Sequence, residues 1–215
     1  MAISKSASQP PTLRADAMRR RVIEAAERLL RKGSAEFSMR ELAAEAGVSF
    51  ATPFNQFGSK VAIMHALSAQ RIAAMAERFD EAKPEGDAAD RVLVAVEFAA
   101  AVMLAEPQVN RAIIGTLGAP GGEPGQVYAR SRALWTQALG DGNGLNPELI
   151  DLARSVLPDQ LAVAFRGVLS FWTAGEVSDA ELAARTRTAA AASLLGFVDG
   201  KRRVAMLALL SEIGD

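Results

Sequence analysis

SMRELAAEAGVSFATPFNQFGSK, residues 38–60, is the stretch that decides the fold of this 215-residue chain. Ser38 is a favoured helix N-cap, and Glu41 three residues later completes a capping box. Gly47 stands where a helix ends in the left-handed conformation, and Ser49 then predicts the N-cap of a second helix. Two short helices joined by a tight turn with glycine are typical of the helix-turn-helix unit, whose second helix lies in the DNA major groove. An ordinary helical hairpin is the structural alternative.

The charge of the chain is divided unevenly, and this favours DNA over a plain hairpin. Residues 1–60 carry a net charge of +4 and residues 61–215 a net charge of −5. A positive head on an acidic body suits a domain that contacts phosphates. Arg19, Arg20 and Arg21 are expected just ahead of the first helix, where they oppose its macrodipole and where phosphate could compensate them. A solvated surface is the other reading of this arginine run.

Residues 19–67, RRRVIEAAERLLRKGSAEFSMRELAAEAGVSFATPFNQFGSKVAIMHAL, resemble the N-terminal domain of TetR-family transcriptional regulators. The resemblance covers about the first 70 residues; beyond them only length, helical character and helix order are similar. It implies an all-α homodimer, usually a repressor, that is released from DNA when a small molecule enters the C-terminal domain. The family pattern places Ser38 and Arg40 at the start of the second helix and makes residues 50–57 the recognition helix.

The chain departs from the family pattern at two adjacent positions. Phe54 replaces the usual tyrosine, whose hydroxyl commonly bonds a DNA phosphate, and the loss corresponds to about 0.5–1.5 kcal/mol. Pro53 replaces a common leucine or isoleucine. If Ser49 is the N-cap, Pro53 is the fourth helical residue and lacks the N–H of the first intrahelical bond, so an irregular helix start is expected.

The expected contacts with DNA divide into two kinds. Arg40 and Lys60 are expected to touch phosphates, whereas the amides of Asn55 and Gln56 are able to pair with adenine. The full set expected at the DNA comprises Ser38, Arg40, Ser49, Phe50, Ala51, Thr52, Phe54, Asn55, Gln56 and Lys60.

The remaining chain is expected to be entirely helical, because it alternates helical runs with glycine and proline and lacks sustained period-two alternation. Helices are predicted at 59–82, 88–105, 107–117, 126–139, 148–174, 179–197 and 201–213, with loops at 118–125 and 140–147. Pro158 is a candidate break in the long helix. The predicted organisation is a flexible N-terminal arm at 1–17, a helix-turn-helix DNA-binding domain at 18–65, and a helical effector-binding and dimerisation domain at 66–215.

The apolar run at 92–105 predicts a buried central helix, which could line a ligand cavity. Expected ligand-binding residues are Glu97, Met103, Trp135 and Phe165, and the composition favours a small apolar or weakly polar effector. Glu97 is the exception in this helix: it is expected to pair with an arginine such as Arg166, to face solvent, or to bind the ligand.

Two helical segments, 159–174 and 180–197, are the predicted dimer surface, because each carries a stripe of residues suited to close helix approach. The expected interface residues are Leu161, Val168, Leu169, Trp172, Ala189, Ser193 and Leu194. Packing of the same residues within one subunit is the alternative.

The sequence offers no constellation for catalysis, and no enzyme activity, cofactor or metal is expected. His65 is the single histidine and is expected at a surface or between domains, and no motif for nucleophilic or phosphate chemistry occurs. The absence of cysteine and of an apolar leader is consistent with a cytoplasmic protein. The expected partners are an operator in double-stranded DNA, a second copy of the chain and a small molecule. The alternative is a helical small-molecule-binding protein that has lost operator recognition through Pro53 and Phe54.

Overall fold

The computed structural model describes residues 11–117 and 126–211, and over these residues the predicted all-α fold is confirmed. The ten α-helices are α1 (Pro11–Arg31), α2 (Met39–Ala46), α3 (Ala51–Phe57), α4 (Lys60–Ala82), α5 (Ala88–Ala105), α6 (Pro107–Thr116), α7 (Val127–Leu139), α8 (Ile150–Ala174), α9 (Asp179–Leu194) and α10 (Gly200–Ser211). The expected loop at 118–125 lies outside the described residues, as do residues 1–10 of the expected arm. Within the described ranges no helix is both long and apolar enough to span a membrane.

Helix α1 begins earlier than the sequence predicted. It starts at Pro11, so residues 11–17 are helical and Arg19, Arg20 and Arg21 lie in the middle of the helix. Proline is favoured at the first helical position, where its missing N–H would have no intrahelical acceptor. The arginines therefore do not oppose the helix dipole at its N-terminus, and their positions must be explained by other contacts.

The predicted helix-turn-helix forms because its local signals agree. The Ser38 hydroxyl accepts the N–H of Glu41, and the Glu41 carboxylate accepts the N–H of Ser38 at 2.7 Å, which completes the capping box. Gly47 ends α2 with φ 61° and ψ 43°, in the left-handed region. Phe37 and Leu42 are both buried in the same cluster, as expected for a hydrophobic staple.

Helix α3 begins one residue later than predicted, and Pro53 accounts for the shift. Its N-cap is Phe50, so Pro53 is the third helical residue, whose N–H would have no intrahelical acceptor in any case. Ser49 instead accepts the N–H of Thr52 in a tighter turn at 2.9 Å. The proline is thus accommodated, and its ring is buried.

Two hydrophobic cores share α4 and lie one above the other along it. The first joins α1 and α2 to Ile63, Met64 and Leu67 of α4 and also takes in Val109 and Ile113 of α6. The second contains Met75 and Phe79 of α4 together with residues of α5 and α7–α10. Because α4 and α6 contribute to the first core, the helix-turn-helix part of the chain (residues 18–65, called the head below) packs directly against the helices that follow it (residues 66–215, the body).

Helix α5 lies at the centre of the body, as the apolar run predicted, and packs against α4, α7 and α9. Helix α8 runs without a break through Pro158, whose ring is buried. The proline removes one backbone bond but does not end the helix.

Arg202 of α10 ties the last helix to the start of α5. Its guanidinium lies 2.6 Å from Asp87 and 2.7 Å from Asp90. Burial alone raises the pKa of Asp87, but hydrogen bonds from the Asp90 backbone and from Arg202 outweigh it, so the pKa lies below its ordinary value. Such a carboxylate stabilises the fold above its unfolded pKa of about 3.9 and loses that contribution as pH falls.

We expect R202Q to lower the free energy of unfolding at pH 7 by about 1–2 kcal/mol, since it removes charge-assisted hydrogen bonds that are only partly exposed. The difference from the wild type should shrink as pH falls below about 4, where the carboxylate of the unfolded chain takes up a proton, and should be lost once Asp87 is protonated at its lower folded-state pKa. Urea denaturation at pH 7 and at low pH measures both effects. R203Q is the matched control, because Arg203 is exposed and, among the described residues, its side chain reaches only the Leu195 carbonyl, at 3.3 Å. Equal losses in R202Q and R203Q would contradict the prediction.

Candidate DNA-binding surface and ligand cavity

The exposed side of α3 carries an unusual pair of aromatic rings. Phe50 is 53% exposed and Phe54 is 43% exposed, and their ring centroids lie 5.6 Å apart in an edge-to-face arrangement. Ala51 and Asn55 are exposed on the same short helix. The residues expected to face DNA at α3 and its N-cap therefore include two large apolar side chains that the described part of the chain leaves exposed.

The polar residues expected at the DNA differ in exposure and in whether their side chains already form hydrogen bonds within the protein. The Ser38 hydroxyl is occupied by the capping box, and the hydroxyls of Ser49 and Thr52 are hydrogen-bonded to each other at 2.8 Å. Gln56 is half-buried, whereas Asn55 is exposed. Of the two amides, Asn55 is the more available to a ligand outside the protein.

Arg40 and Lys60, the expected phosphate contacts, also differ. Arg40 is exposed, with its guanidinium 5.7 Å from the ring of Phe50. Lys60 donates to the carbonyl of Ala35 at 2.8 Å and lies 4.6 Å from the centroid of the Phe37 ring. Lys60 therefore holds the loop between α1 and α2, while Arg40 projects from the surface next to the aromatic pair.

Two arginines of α1 support the helix-turn-helix, a role that the sequence did not reveal. Arg19 donates to the carbonyl of Gln56 at 2.7 Å and lies 4.1 Å from the centroid of the Phe57 ring. Arg21 donates to the carbonyl of Gly47 at 3.2 Å. Both carbonyls belong to helix ends, where a cation is favoured by the helix dipole. The arginine run was visible in the sequence, but its targets depend on how α1 crosses α2 and α3.

A cavity of about 400 Å³ lies in the body and is bounded by α4, α5, α6, α7 and α8. Met103, Trp135 and Phe165, three of the four expected ligand residues, line it, and the rings of Trp135 and Phe165 lie 5.6 Å apart. Walls of aliphatic and aromatic side chains with a few polar groups are typical of small-molecule sites. The lining residues with polar groups are His65, Ser68, Arg71, Asn110, Tyr128, Ser131, Trp135 and Arg166.

Glu97, the fourth expected ligand residue, does not line this cavity. Its side chain is exposed on α5 and forms an ion pair with Arg187 of α9. The expected pairing with Arg166 does not occur. Glu97 shares an exposed side of this mostly apolar helix with Ala101 and Ala105, because α5 is not covered by neighbours on its whole circumference.

Arg71 of α4 connects the cavity wall to the head. Its guanidinium donates to the Glu27 carboxylate of α1 at 2.6 Å and to Asn110 of α6 at 2.8 Å. Asn110 is itself buried and donates to the carbonyls of Val102 and Met103 at 3.0 and 2.8 Å. Sequence spacing gave no sign of this network, which joins residues far apart in the chain.

Glu106, at the start of α6, completes the network. A hydrogen bond from Arg31 and the nearby charge of Arg71 keep the pKa of Glu106 below its ordinary value, although burial opposes the shift. Arg31 also pairs with Glu27, at 3.5 Å. Helices α1, α4 and α6 are thus joined by two carboxylates and two guanidiniums.

His65 and Arg166 line the cavity with unsatisfied atoms. The Nδ1 atom of His65 and the Nη1 atom of Arg166 are buried and have no hydrogen-bond partner in the described part of the chain. Arg166 uses its Nη2 atom to donate to the carbonyl of Ile114 at 3.2 Å. Burial lowers the pKa of Arg166, though a guanidinium remains protonated in a protein.

Most of the expected dimer residues have little side chain left to offer a second copy. Leu161, Leu169, Trp172 and Leu194 are instead buried in the core of their own subunit, which is the alternative left open by the sequence. Val168, Ala189 and Ser193 are half-buried. A stripe of apolar residues can face the core of its own subunit as readily as it can face a partner. The outward-facing apolar residues of α8 are not the predicted ones but Leu152, Val163 and Phe171, each more than half exposed.

Residues 22–67 match the family model described as bacterial regulatory proteins, tetR family. A TetR transcriptional regulator from Rhodococcus sp. RHA1 has a similar structure: the TM-score is 0.67 and the identity 24%, over 85% of this chain and 97% of that chain. TylP, a TetR regulator from Streptomyces fradiae, aligns with a TM-score of 0.53 and 18% identity, over 92% of this chain and 98% of that chain. We found no match among curated proteins. The resemblance to TetR-family transcriptional regulators is confirmed, in sequence over residues 22–67 and in fold beyond them.

We expect R40Q to weaken binding to all duplex sequences alike, because a phosphate contact carries no sequence information. The slope of log affinity against log salt should become shallower by about one unit. Fluorescence anisotropy with a labelled duplex at several salt concentrations measures both quantities. K60M is the matched comparison. Since Lys60 contacts Ala35 and Phe37, its replacement should lower the melting temperature and leave the salt slope close to that of the wild type. An unchanged slope in R40Q would remove Arg40 from the phosphate contacts.

We expect Asn55→Ala to lose about 1–3 kcal/mol of preference at one base pair, since an exposed amide can pair with adenine at two atoms. Gln56→Ala should change base preference less, because that side chain is half-buried. Selection of binding sites from random duplexes, carried out with each variant, reports the preference at every position. If both variants select the wild-type site unchanged, base reading lies in other residues.

Proposed function

We propose that this chain, which has a TetR-family transcriptional regulator fold, is a homodimeric repressor that binds a palindromic operator and is released by a small molecule in the cavity. The head, residues 18–65, would bind DNA and the body, residues 66–215, would bind the effector and a second subunit. A DNA target also implies a cytoplasmic location. We expect no catalytic activity and no cofactor.

The observation that carries this proposal is the position of Arg71. It lines the cavity and at the same time donates to Glu27 on α1, the helix that supports the head. A ligand can change DNA affinity only if it favours one arrangement of the heads over another. A molecule that displaces Arg71 changes the contact between α4 and α1, and therefore acts on the head directly.

DNA binding is supported by the surface of α3. An exposed pair of phenylalanines is costly in water but can contact thymine methyl groups in the major groove. The structure also accommodates Pro53 by starting α3 one residue later, so this departure from the family pattern does not deform the helix. The alternative, a ligand-binding protein without operator recognition, has less support for this reason.

A homodimer is supported by the outward face of α8. Leu152 and Val163 are exposed on one side of this 25-residue helix, and Phe171 is exposed on the adjoining side, so that together they form a broad apolar stripe. Such a stripe on a helix is suited to pairing with the same stripe of a second copy around a two-fold axis. Two heads held in this way could read half-sites about 34–36 Å apart, and a tilt of α4 would alter that spacing.

Filling the cavity by mutation tests the switch without knowledge of the effector. Ala162 is buried and lines the cavity, so Ala162→Phe should mimic a bound ligand and lower operator affinity by at least about tenfold, or 1.4 kcal/mol. The operator is first selected from random duplexes, and affinity is then measured by fluorescence anisotropy. Sedimentation and thermal melting establish that the variant is folded and has the oligomeric state of the wild type.

Ala133→Phe is the control, because Ala133 is exposed on α7 and does not line the cavity. It should bind the operator as the wild type does. If Ala162→Phe also binds normally while remaining folded, the cavity does not control the head. If no duplex is enriched in the selection, DNA binding itself fails and the ligand-binding alternative becomes the better account.

A further inference from the structure

The cavity holds one positive charge that no carboxylate of the described residues compensates. Its described lining contains no aspartate or glutamate and two arginines, Arg71 and Arg166. Arg71 is paired with Glu27 at 2.6 Å and with Glu106 at 3.4 Å. No carboxylate of the described residues lies within ion-pair distance of Arg166. A half-buried guanidinium without a counter-charge, with one of its nitrogen atoms fully buried, is unfavourable, and a site that retains one points to a partner that arrives from outside.

We propose that the effector is an amphipathic monocarboxylate whose apolar part fills the cavity and whose carboxylate pairs with Arg166. This inference rests on the proposed function, since it names the chemical class of the molecule that would occupy the same cavity. It replaces the apolar effector expected from composition with one that carries a single negative charge.

The charge and the donors of the site favour a monoanion. One guanidinium can neutralise one carboxylate, whereas a dianion such as a phosphate monoester would leave a negative charge in an apolar cavity. The Nη1 atom of Arg166 has no acceptor among the described residues, and a rotation of the side chain towards the cavity would supply one on the ligand. The Ser131 hydroxyl, which accepts the Trp135 N–H at 3.2 Å, still has a proton to donate.

The other lining groups define the apolar part of the ligand. Trp135, Phe165, Met75 and Met103 offer aromatic and thioether surfaces that adapt to an alkyl chain or a ring. The volume of about 400 Å³ suits a molecule of ordinary metabolite size. A hydrophobic acid therefore satisfies both the walls and the charge.

A structural role is the competing explanation for Arg166. Its bond to the Ile114 carbonyl, near the end of α6, is a contact that a cation commonly makes at a helix C-terminus. That bond uses Nη2 and leaves Nη1 free of acceptors in the described chain. A capping role predicts an effect on stability alone, whereas a ligand role predicts a preference for one charge on the ligand.

Binding of matched probes to the wild-type protein separates these roles. Decanoate, decanamide and decyltrimethylammonium have similar chains and carry a negative, a neutral and a positive head. We expect decanoate to bind at least about tenfold more tightly than decanamide, because only the carboxylate can form a charge-assisted hydrogen bond with Arg166. The cation should bind most weakly of the three. Calorimetry gives the affinities, and a change in tryptophan fluorescence that is lost in Trp135→Phe but kept in Trp172→Phe places the ligand in the cavity.

Three variants complete the experiment. R166Q should reduce the preference for decanoate over decanamide to about threefold or less, and R166K should retain part of it because the charge is kept. R111Q is the control: Arg111 stacks on Trp172 and pairs with Asp179 at 2.7 Å, outside the cavity lining, so the preference should not change. E123Q tests the only carboxylate of segment 118–125, which lies outside the described residues, and should leave decanoate affinity unchanged.

Four results would overturn the proposal. These are equal binding of decanoate and decanamide, no binding of either, a preference in R166Q as large as in the wild type, or a tenfold gain in decanoate affinity in E123Q. A lower melting temperature of R166Q with an unchanged preference would assign Arg166 to capping. The measurement uses no DNA, so its outcome is independent of whether the protein binds an operator.

Discussion

The contacts of Arg71 depend on a constraint that the whole molecule must satisfy: α4 belongs to two hydrophobic cores at once. The N-terminal half of the helix is buried with α1 and α2, and Met75 and Phe79 further along are buried with α5. Arg71 lies between these two halves and is half-buried, so its charge needs partners. Glu27 and Glu106 supply them, and each comes from a different helix.

Packing in both cores gives α4 few ways to move. A close-packed interior does not deform continuously, and a helix held at both ends responds to a new neighbour by shifting as a unit. Helix α6 is held in a similar way, since Val109 and Ile113 lie in the core of the head while Ile113 and Ile114 also border the cavity. Two of the five helices that bound the cavity, α4 and α6, therefore also pack in the core of the head.

The helix-turn-helix could be predicted from the sequence because its signals are local. Ser38, Glu41 and Gly47 determine where α2 begins and ends through bonds between residues at most a few positions apart. The sequence predicts the N-cap of α3 one residue too early because Ser49 is a favoured cap, whereas the observed N-cap, Phe50, accommodates Pro53. The start of α1 at Pro11 differs from the prediction because a run of arginines does not mark where a helix begins.

For the body, the sequence predicts the helices and part of the cavity wall, but not the polar contacts of the site. Met103, Trp135 and Phe165 could be selected as large apolar residues on buried helices, and they do border the cavity. Glu97, Arg71 and Arg166 could not be assigned from their spacing, because each is determined by which helix lies opposite. The same limit applies to Leu161 and Trp172, since a stripe of apolar residues does not reveal whether it faces the core or another subunit.

The contacts of Arg19 have a mechanical consequence for the short helix α3. A helix of seven residues has little stability of its own, so the orientation of α3 depends on what holds it. Arg19 binds one end of α3 through the Gln56 carbonyl, and Glu27, eight residues further along α1, binds Arg71. These two attachment points are about 12 Å apart on one rigid rod. Helix α1 therefore links the two contacts mechanically, and a displacement of Glu27 would be transmitted along α1 to the end of α3 that Arg19 holds.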